Sequence, residues 1–207
     1  TMAFESVQFA TMIPGLQDGR FDMINSFMFY TPERAAQVLM IPYGASTLAI
    51  VVGKDNKDDV KGMEYFSGKK FAVELGTVDA NDANKASDGL VAAGKPPIEI
   101  QTFKTYADVL QTLAAGQVDG AFIGTEQAFY YQNKGQNFFR IAVSGLDPHA
   151  EALAFKDKEL AEKVAAVMNE MKANGSFDKL FEKYHHCTLP GPYKIVTGPL
   201  PPPDCKR

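Results

Sequence analysis

Short apolar runs alternate with segments that carry helix-start signals, and that alternation restricts this chain to layered α/β architectures. Phe21 to Phe27 reads as a strand entering a turn. Thr31-Pro32-Glu33-Arg34 then starts a helix, with Thr31 as N-cap, Pro32 at the first helical position and Glu33 favourable to the dipole. This helix is short and ends before Pro42. Thr47 to Val52 is an apolar, buried strand, closed by the polar run Gly53 to Lys61. A second unit opens at Gly68, with strands over Lys70 to Leu75, Ile98 to Phe103, Val118 to Ile123 and Phe139 to Val143. Between them, Thr105 opens a helix with Val109, Leu110, Leu113 and Ala114 on one stripe, and another runs from Thr125 to Lys134. Asp157 caps a helix bearing Leu160, Val164, Val167, Met168 and Met171, and Ser176 caps a second with Phe177, Leu180, Phe181 and Tyr184. After His186 the chain turns to Pro, Gly and Thr, with Tyr193 to Leu200 strand-like.

A chain of 207 residues, 45% hydrophobic, can bury one good core or two small ones. A net charge of -4, with Lys scattered among Asp and Glu, argues against a nucleic-acid partner, which needs a concentrated basic face. No apolar run approaches the roughly 20 residues of a membrane-spanning helix. Thr1 to Phe4 reads as the middle of a strand, so an upstream segment is expected to have been removed. Cys187 and Cys205 flank the Pro-rich tail, and we expect them to be bridged, which implies an oxidising compartment; two unpaired thiols are the other reading.

Motifs for nucleotide binding and for serine hydrolases are missing: there is no P-loop, no GxGxxG after a strand and no GxSxG elbow. His185-His186-Cys187 lacks a second ligand cluster at a sensible spacing, so no metal site is expected. His149 lacks a readable triad and is taken as a surface or hinge residue. Arg34, in the first turn of a helix where the dipole disfavours a cation, could share an anion bidentately or pair with Asp22 or Glu33. The Gly76-Thr77-Val78 corner offers backbone donors and a hydroxyl to an anion, or is merely a capped helix.

In order and spacing, five segments resemble the bacterial extracellular solute-binding proteins of family 3. Met12 to Asp22 looks like "LIPALQSGKFD", Thr31 to Val38 like "TPERAKQV", and Gly68 to Thr77 like "GKKVAVQLGT". Leu113 to Ala121 looks like "LANGRVDAV", and Lys172 to Tyr184 like "KADGTYDKIYEKW". The likeness runs from Phe4 to His185. It implies a type II periplasmic-binding-protein-like fold, with ligand held where two α/β lobes close. Lobe 1 would comprise 1–46 and 150–186, lobe 2 47–149 with hinge strands near 43–47 and 147–151, and 187–207 a disulfide-tethered tail. Lobe 1 would lack the family's opening strand and helix, and the strand-like Tyr193 to Leu200 would either take that place or, the preferred reading, run on as a plain disulfide-tethered extension. The resemblance further implies a periplasmic monomer, with no cofactor or metal, that passes a small solute to the membrane permease of an ABC importer. Arg34 would hold the ligand's carboxylate from lobe 1 and the Thr77-Val78 turn from lobe 2, with Phe9 stacking on the ligand.

Departures from the family pattern bear on the solute. Phe29 replaces a usual Ser or Thr, Phe27 a small residue, and Gly124 the acid that pairs with the ligand's ammonium. An α-amino acid would then depend on Thr125 or Glu126, while Phe9, Phe27 and Phe29, beside Ser26, make the lobe 1 side apolar. A carboxylate-bearing solute with a flat or apolar body is expected. Two other readings stand beside transport: a cyclohexadienyl- or arogenate-type dehydratase with Glu126 or Glu151 as acid, and an accessory protein docking a partner in the cleft.

Overall fold

The computed structural model describes residues 2–183 and 186–203. The chain divides into two compact units: Thr1–Val7, Thr11–Ser46 and Pro148–Arg207 form unit 1, and Gln8–Ala10 with Thr47–Asp147 form unit 2.

In unit 1, helix α1 (Met12–Gln17) leads into strand β1 (Met23–Phe29), which pairs antiparallel with the end of the long strand β6 (Phe139–Phe155). Met23 lies opposite Phe155 and Phe29 opposite Glu151, with a register shift between Ile24 and Met28. Helix α2 is only Pro32–Ala35, and Thr31 caps it as expected, its side chain accepting from the Arg34 amide. Strand β2 (Leu39–Gly53) begins in this unit and runs on into the other. Residues 2–8 form no helix or strand, contrary to the strand expected over Thr1 to Phe4: Phe4 is 85% exposed, and a strand with no neighbour leaves its backbone unpaired.

Helix α6 (Lys158–Ala173) starts on Asp157, whose carboxylate accepts from the Leu160 amide at 2.6 Å. Its buried positions Ala161, Ala165 and Met168 face Ile41, Leu153 and Phe155 in the unit 1 core. Helix α7 (Ser176–Glu182) departs from expectation at its first residue. Gly175, with φ +76°, is the N-cap, and the Ser176 hydroxyl instead donates back to the Met171 carbonyl. The left-handed turn that ends α6 already sets the entry to α7, so no side-chain cap is needed.

Nor is the tail the plain extension expected of 187–207. Strand β7 (Cys187–Thr188) pairs with β2 at Gly44 and Ala45, and the Val196 amide donates to the Met40 carbonyl. Tyr193 is buried against Phe177, its backbone is held by Asn169, and the Tyr30 hydroxyl reaches the Gly198 carbonyl. The tail therefore covers an edge of β2 and completes a core. Cys187 is disulfide-bonded. Cys205, the partner expected for it, lies outside the described residues, as does His185.

Unit 2 is a sheet ordered β2-β5-β3-β4, with β3 (Lys70–Glu74), β4 (Glu99–Phe103) and β5 (Gly120–Gly124) mutually parallel and β5 antiparallel to β2. Each parallel strand feeds a helix: α3 (Val78–Ala92), α4 (Tyr106–Ala114) and α5 (Thr125–Asn133). Thr77 and Thr105 cap the first two. The core joins Ala49 and Val51 of β2, Ala72 of β3 and Ala121 and Ile123 of β5 to Val109, Leu110 and Leu113 of α4. Because the strands run together, their C-terminal ends and the N-termini of three helices gather along one edge of the sheet, where open α/β sheets take ligands. Among the described residues no helix is long and apolar enough to cross a membrane.

Candidate functional site

Unit 1 places Arg34 half-buried in the one turn of α2, its guanidinium Nη1 donating to the Phe29 carbonyl at 2.6 Å. The helix is too short to have a useful dipole, so what fixes Arg34 is the Thr31 cap on its backbone and the β1 carbonyl on its side chain. The Phe29 ring stacks on His149, centroids 4.7 Å apart, which makes His149 part of this face. Ser26 Oγ is buried and has no hydrogen-bond partner among the described residues. Phe27 sits at φ +53° and is 58% exposed. An L-residue there carries roughly 1 to 2 kcal/mol of strain, which only glycine, lacking a Cβ, would escape. The bulge in β1 turns Phe27 out of the strand alternation, so neither Phe27 nor Phe29 fills the core.

Beneath Phe27 lies a feature that sequence reading did not find. His186 Nε2 and Glu151 Oε2 are 2.5 Å apart, their side chains 5% and 3% exposed, with the rings of Phe27 and Phe181 against the imidazole. Burial pushes the Glu151 carboxyl above its ordinary range, and the hydrogen bond and charge of His186 pull it partly back. Gly44 makes room: a Cβ there would stand 3.1 Å from His186 Nε2 and 3.2 Å from Glu151 Oε2. Glu151, weighed above as a catalytic acid, is thus already committed inside the fold.

Unit 2 holds the Gly76-Thr77-Val78 corner. Gly76 takes φ +82°, which glycine alone adopts without strain, and its missing Cβ would lie 3.3 Å from Ala10 Cβ. The Thr77 hydroxyl donates to the Glu74 carbonyl at 2.7 Å and accepts from the Ala80 amide at 3.4 Å. Capping occupies it, so the corner's offer to an anion is its backbone N–H groups. Val78 is buried as the first residue of α3. Phe9, assigned above to lobe 1, opens a short 3-10 turn (Phe9–Thr11) and is half-buried, and its residue range falls in unit 2. Thr125 is buried, accepting from the Thr47 hydroxyl at 2.8 Å and from the Gly145 amide at 3.5 Å, which makes it a brace between strands. Glu126 is half-buried in the first turn of α5.

Two acids at this edge also escaped sequence reading. Glu74 is the last residue of β3 and 6% exposed, and Asp79, in the first turn of α3, is 1% exposed. Asp79 Oδ2 accepts from the Tyr106 hydroxyl at 2.5 Å. The Glu74 carboxyl is pushed up to about 7, chiefly by burial and then by the charges of Asp79 and Asp108. The signal was present: a strand-end Glu inside an apolar run is rarely buried without cause.

Residues 1–186 match the model of the bacterial extracellular solute-binding proteins, family 3. The chain is 29% identical over 185 residues to the probable amino-acid-binding protein YxeM of Bacillus subtilis, covering 86% of this chain and 67% of that one. Among solved structures, an ancestral arginine-binding protein bound to arginine superposes with a TM-score of 0.77 at 30% identity, over 88% of this chain and 79% of that chain. An ancestral amino acid-binding protein, a precursor of cyclohexadienyl dehydratase, superposes with a TM-score of 0.75 at 29% identity, over 88% and 77%. The mixed α/β fold is therefore that of type II periplasmic amino-acid-binding proteins. With its family segments, capped Arg34 and strand-end corner in place, the chain belongs to the bacterial extracellular solute-binding proteins of family 3.

Proposed function

We propose that this solute-binding protein captures a small carboxylate-bearing, amino-acid-like solute outside the cytoplasm. It passes that solute to the permease of an ABC importer without chemical turnover. The observation that carries the reading is Arg34, pinned by the Thr31 cap and the Phe29 carbonyl beside the Phe29–His149 stack. A guanidinium held in place meets a carboxylate without losing rotamer freedom again, so more of the contact appears as affinity. The backbone N–H groups at the head of α3 are a second anion-compatible feature.

Isothermal titration calorimetry with a panel of L-amino acids and simple carboxylates tests this directly, after native mass spectrometry has revealed any retained ligand. One solute is expected to bind with one-to-one stoichiometry. Arg34→Ala should weaken it at least about 100-fold, since a charge-assisted contact to a desolvated carboxylate is lost. Equal affinity in wild type and Arg34→Ala would overturn the reading. The dehydratase reading draws on the likeness to an ancestral precursor of such an enzyme. The Glu151–His186 contact counts against one of its candidate acids, and incubation with prephenate or arogenate is expected to release no aromatic product.

A further inference from the structure

We infer that His186 is a positioning residue for the anion-binding face of unit 1: it turns the Glu151 carboxylate away from Arg34, which keeps the guanidinium's pull for the solute. The inference rests on the proposed role of Arg34 and names what protects it. The contacts form one chain within unit 1. Arg34 Nη1 donates to the Phe29 carbonyl at 2.6 Å, and Phe29 lies opposite Glu151 where β1 pairs with β6. Cross-strand partners project from the same sheet face, so the Glu151 side chain starts out beside that of Phe29. His149, two residues earlier on β6, stacks on the Phe29 ring, which fits the same face. Strand β6 lies between β1 and β2, so Glu151 could lean toward either neighbour. It leans toward β2. Its Oε2 is 2.5 Å from His186 Nε2 and 3.2 Å from where a Cβ on Gly44 would stand.

The imidazole is presented at a set point by bonds that do not involve Glu151. The His186 amide donates to the Phe181 carbonyl at 3.0 Å, and the next two residues, Cys187 and Thr188, pair with Ala45 and Gly44 of β2. Cys187 is disulfide-bonded, and the Thr188 hydroxyl donates to Asp178 Oδ1 at 2.6 Å. The ring itself rests against Phe27 and Phe181. What it holds there matters to an anion site. A charged carboxylate released one strand from Phe29 would compete with the solute for the guanidinium and repel the solute's own charge. Low-dielectric surroundings would strengthen both effects. Around Glu151 stand, besides His186, Tyr43 of β2, whose hydroxyl is kept neutral by burial and by the Glu151 charge, His149 along its own strand, and Arg34 across β1. Of these Arg34 alone is always a cation, so it is the partner that Glu151 would turn to without His186.

Phenylglyoxal labelling of the intact chain, mapped by mass spectrometry from pH 6 to pH 9, tests this without a solute. The reagent attacks the deprotonated guanidinium, so a carboxylate brought near Arg34 slows it. Arg140, bonded to Asn56 and Asp58 in unit 2, is the internal reference. In wild type the ratio of Arg34 to Arg140 labelling should stay level across this range. In His186→Ala it should fall at least about threefold as the pH rises and Glu151 loses its proton, and adding Glu151→Gln should restore it. His186→Phe fills the space without offering a donor; it should behave like the alanine variant and replaces it if that variant does not fold. Calorimetric titration at pH 8 with L-arginine and L-glutamine should follow the same order. His186→Ala should bind at least about tenfold more weakly than wild type, and the double variant should recover to within about threefold. A level ratio in the His186 variants sinks the inference. So does a fall that Glu151→Gln leaves in place, since lost packing rather than charge would then be responsible. If neither amino acid binds, the labelling alone decides. Equal binding by wild type and Arg34→Ala removes the solute reading, and the labelling still judges whether Glu151 and Arg34 are coupled.

Discussion

Unit 1 and unit 2 each bury a glutamate, and they treat it in opposite ways. Glu151, 2% exposed, is closed off by His186 within hydrogen-bond distance, two aromatic rings and a glycine that leaves just enough room. Glu74, 6% exposed, has two acids for neighbours and no partner at all among the described residues. Both carboxyls are pushed up by burial, yet only Glu151 is drawn partly back. The contrast separates an acid that the fold pairs internally from one whose carboxylate it leaves to water.

The largest expected effect is on the satisfied pair. His186→Ala should destabilise the chain by about 3 to 5 kcal/mol, because it strands a buried carboxyl and opens a hole under Phe27. Urea denaturation at pH 7 measures this, and a cost under about 1 kcal/mol would mean that the pair contributes little to the fold. The unsatisfied acid should behave in the opposite direction. Its carboxyl lies at about 7 in the fold against 4.5 when free, so ionising it works against folding. That penalty is absent below pH 4.5 and complete once the pH passes 7. Glu74→Gln should therefore match wild type near pH 4 and exceed it at pH 8 by up to ~3 kcal/mol, visible as a stability gain that grows with pH.

Much of the scaffold was legible because its signals are local. Thr31, Thr105 and Asp157 announced their helices through side chains that satisfy amides three residues on, and those bonds are present. Strand ends were less so. Strands were expected over Thr47 to Val52 and Phe139 to Val143, whereas β2 spans Leu39–Gly53 and β6 Phe139–Phe155, so two long strands read as shorter ones. The tail was illegible for a different reason. Its docking depends on Tyr193 finding Phe177 and Asn169 across the chain, and nothing within the tail's own composition encodes that. The site divides along the same line. Arg34 and the Gly76-Thr77 corner stand in contiguous motifs, whereas Glu151 meets His186 across 35 positions, and Glu74 meets Asp108 only through the parallel arrangement of β3 and β4.

A smaller effect probes the corner that carries Glu74. Gly76→Ala forces a methyl into φ +82° and toward Ala10, at an expected cost of about 1 to 2 kcal/mol. It should also weaken solute binding more than that stability loss would suggest, since the corner precedes the helix head proposed to meet the solute's carboxylate. Unchanged affinity would detach the corner from the site.

The smallest effect tests whether the strain at Phe27 serves the pair below it. Glycine removes the penalty of φ +53°, so Phe27→Gly should gain roughly 1 kcal/mol from the backbone. The ring itself is 58% exposed, and its contact with the His186 imidazole, centroids 5.0 Å apart, is the main packing it can lose. Net stability at pH 7 should therefore rise slightly, by less than the backbone term alone. If it falls instead, the ring is what keeps water from Glu151 and His186, and unit 1 maintains its satisfied acid only by holding an aromatic residue in a conformation that glycine would adopt more readily.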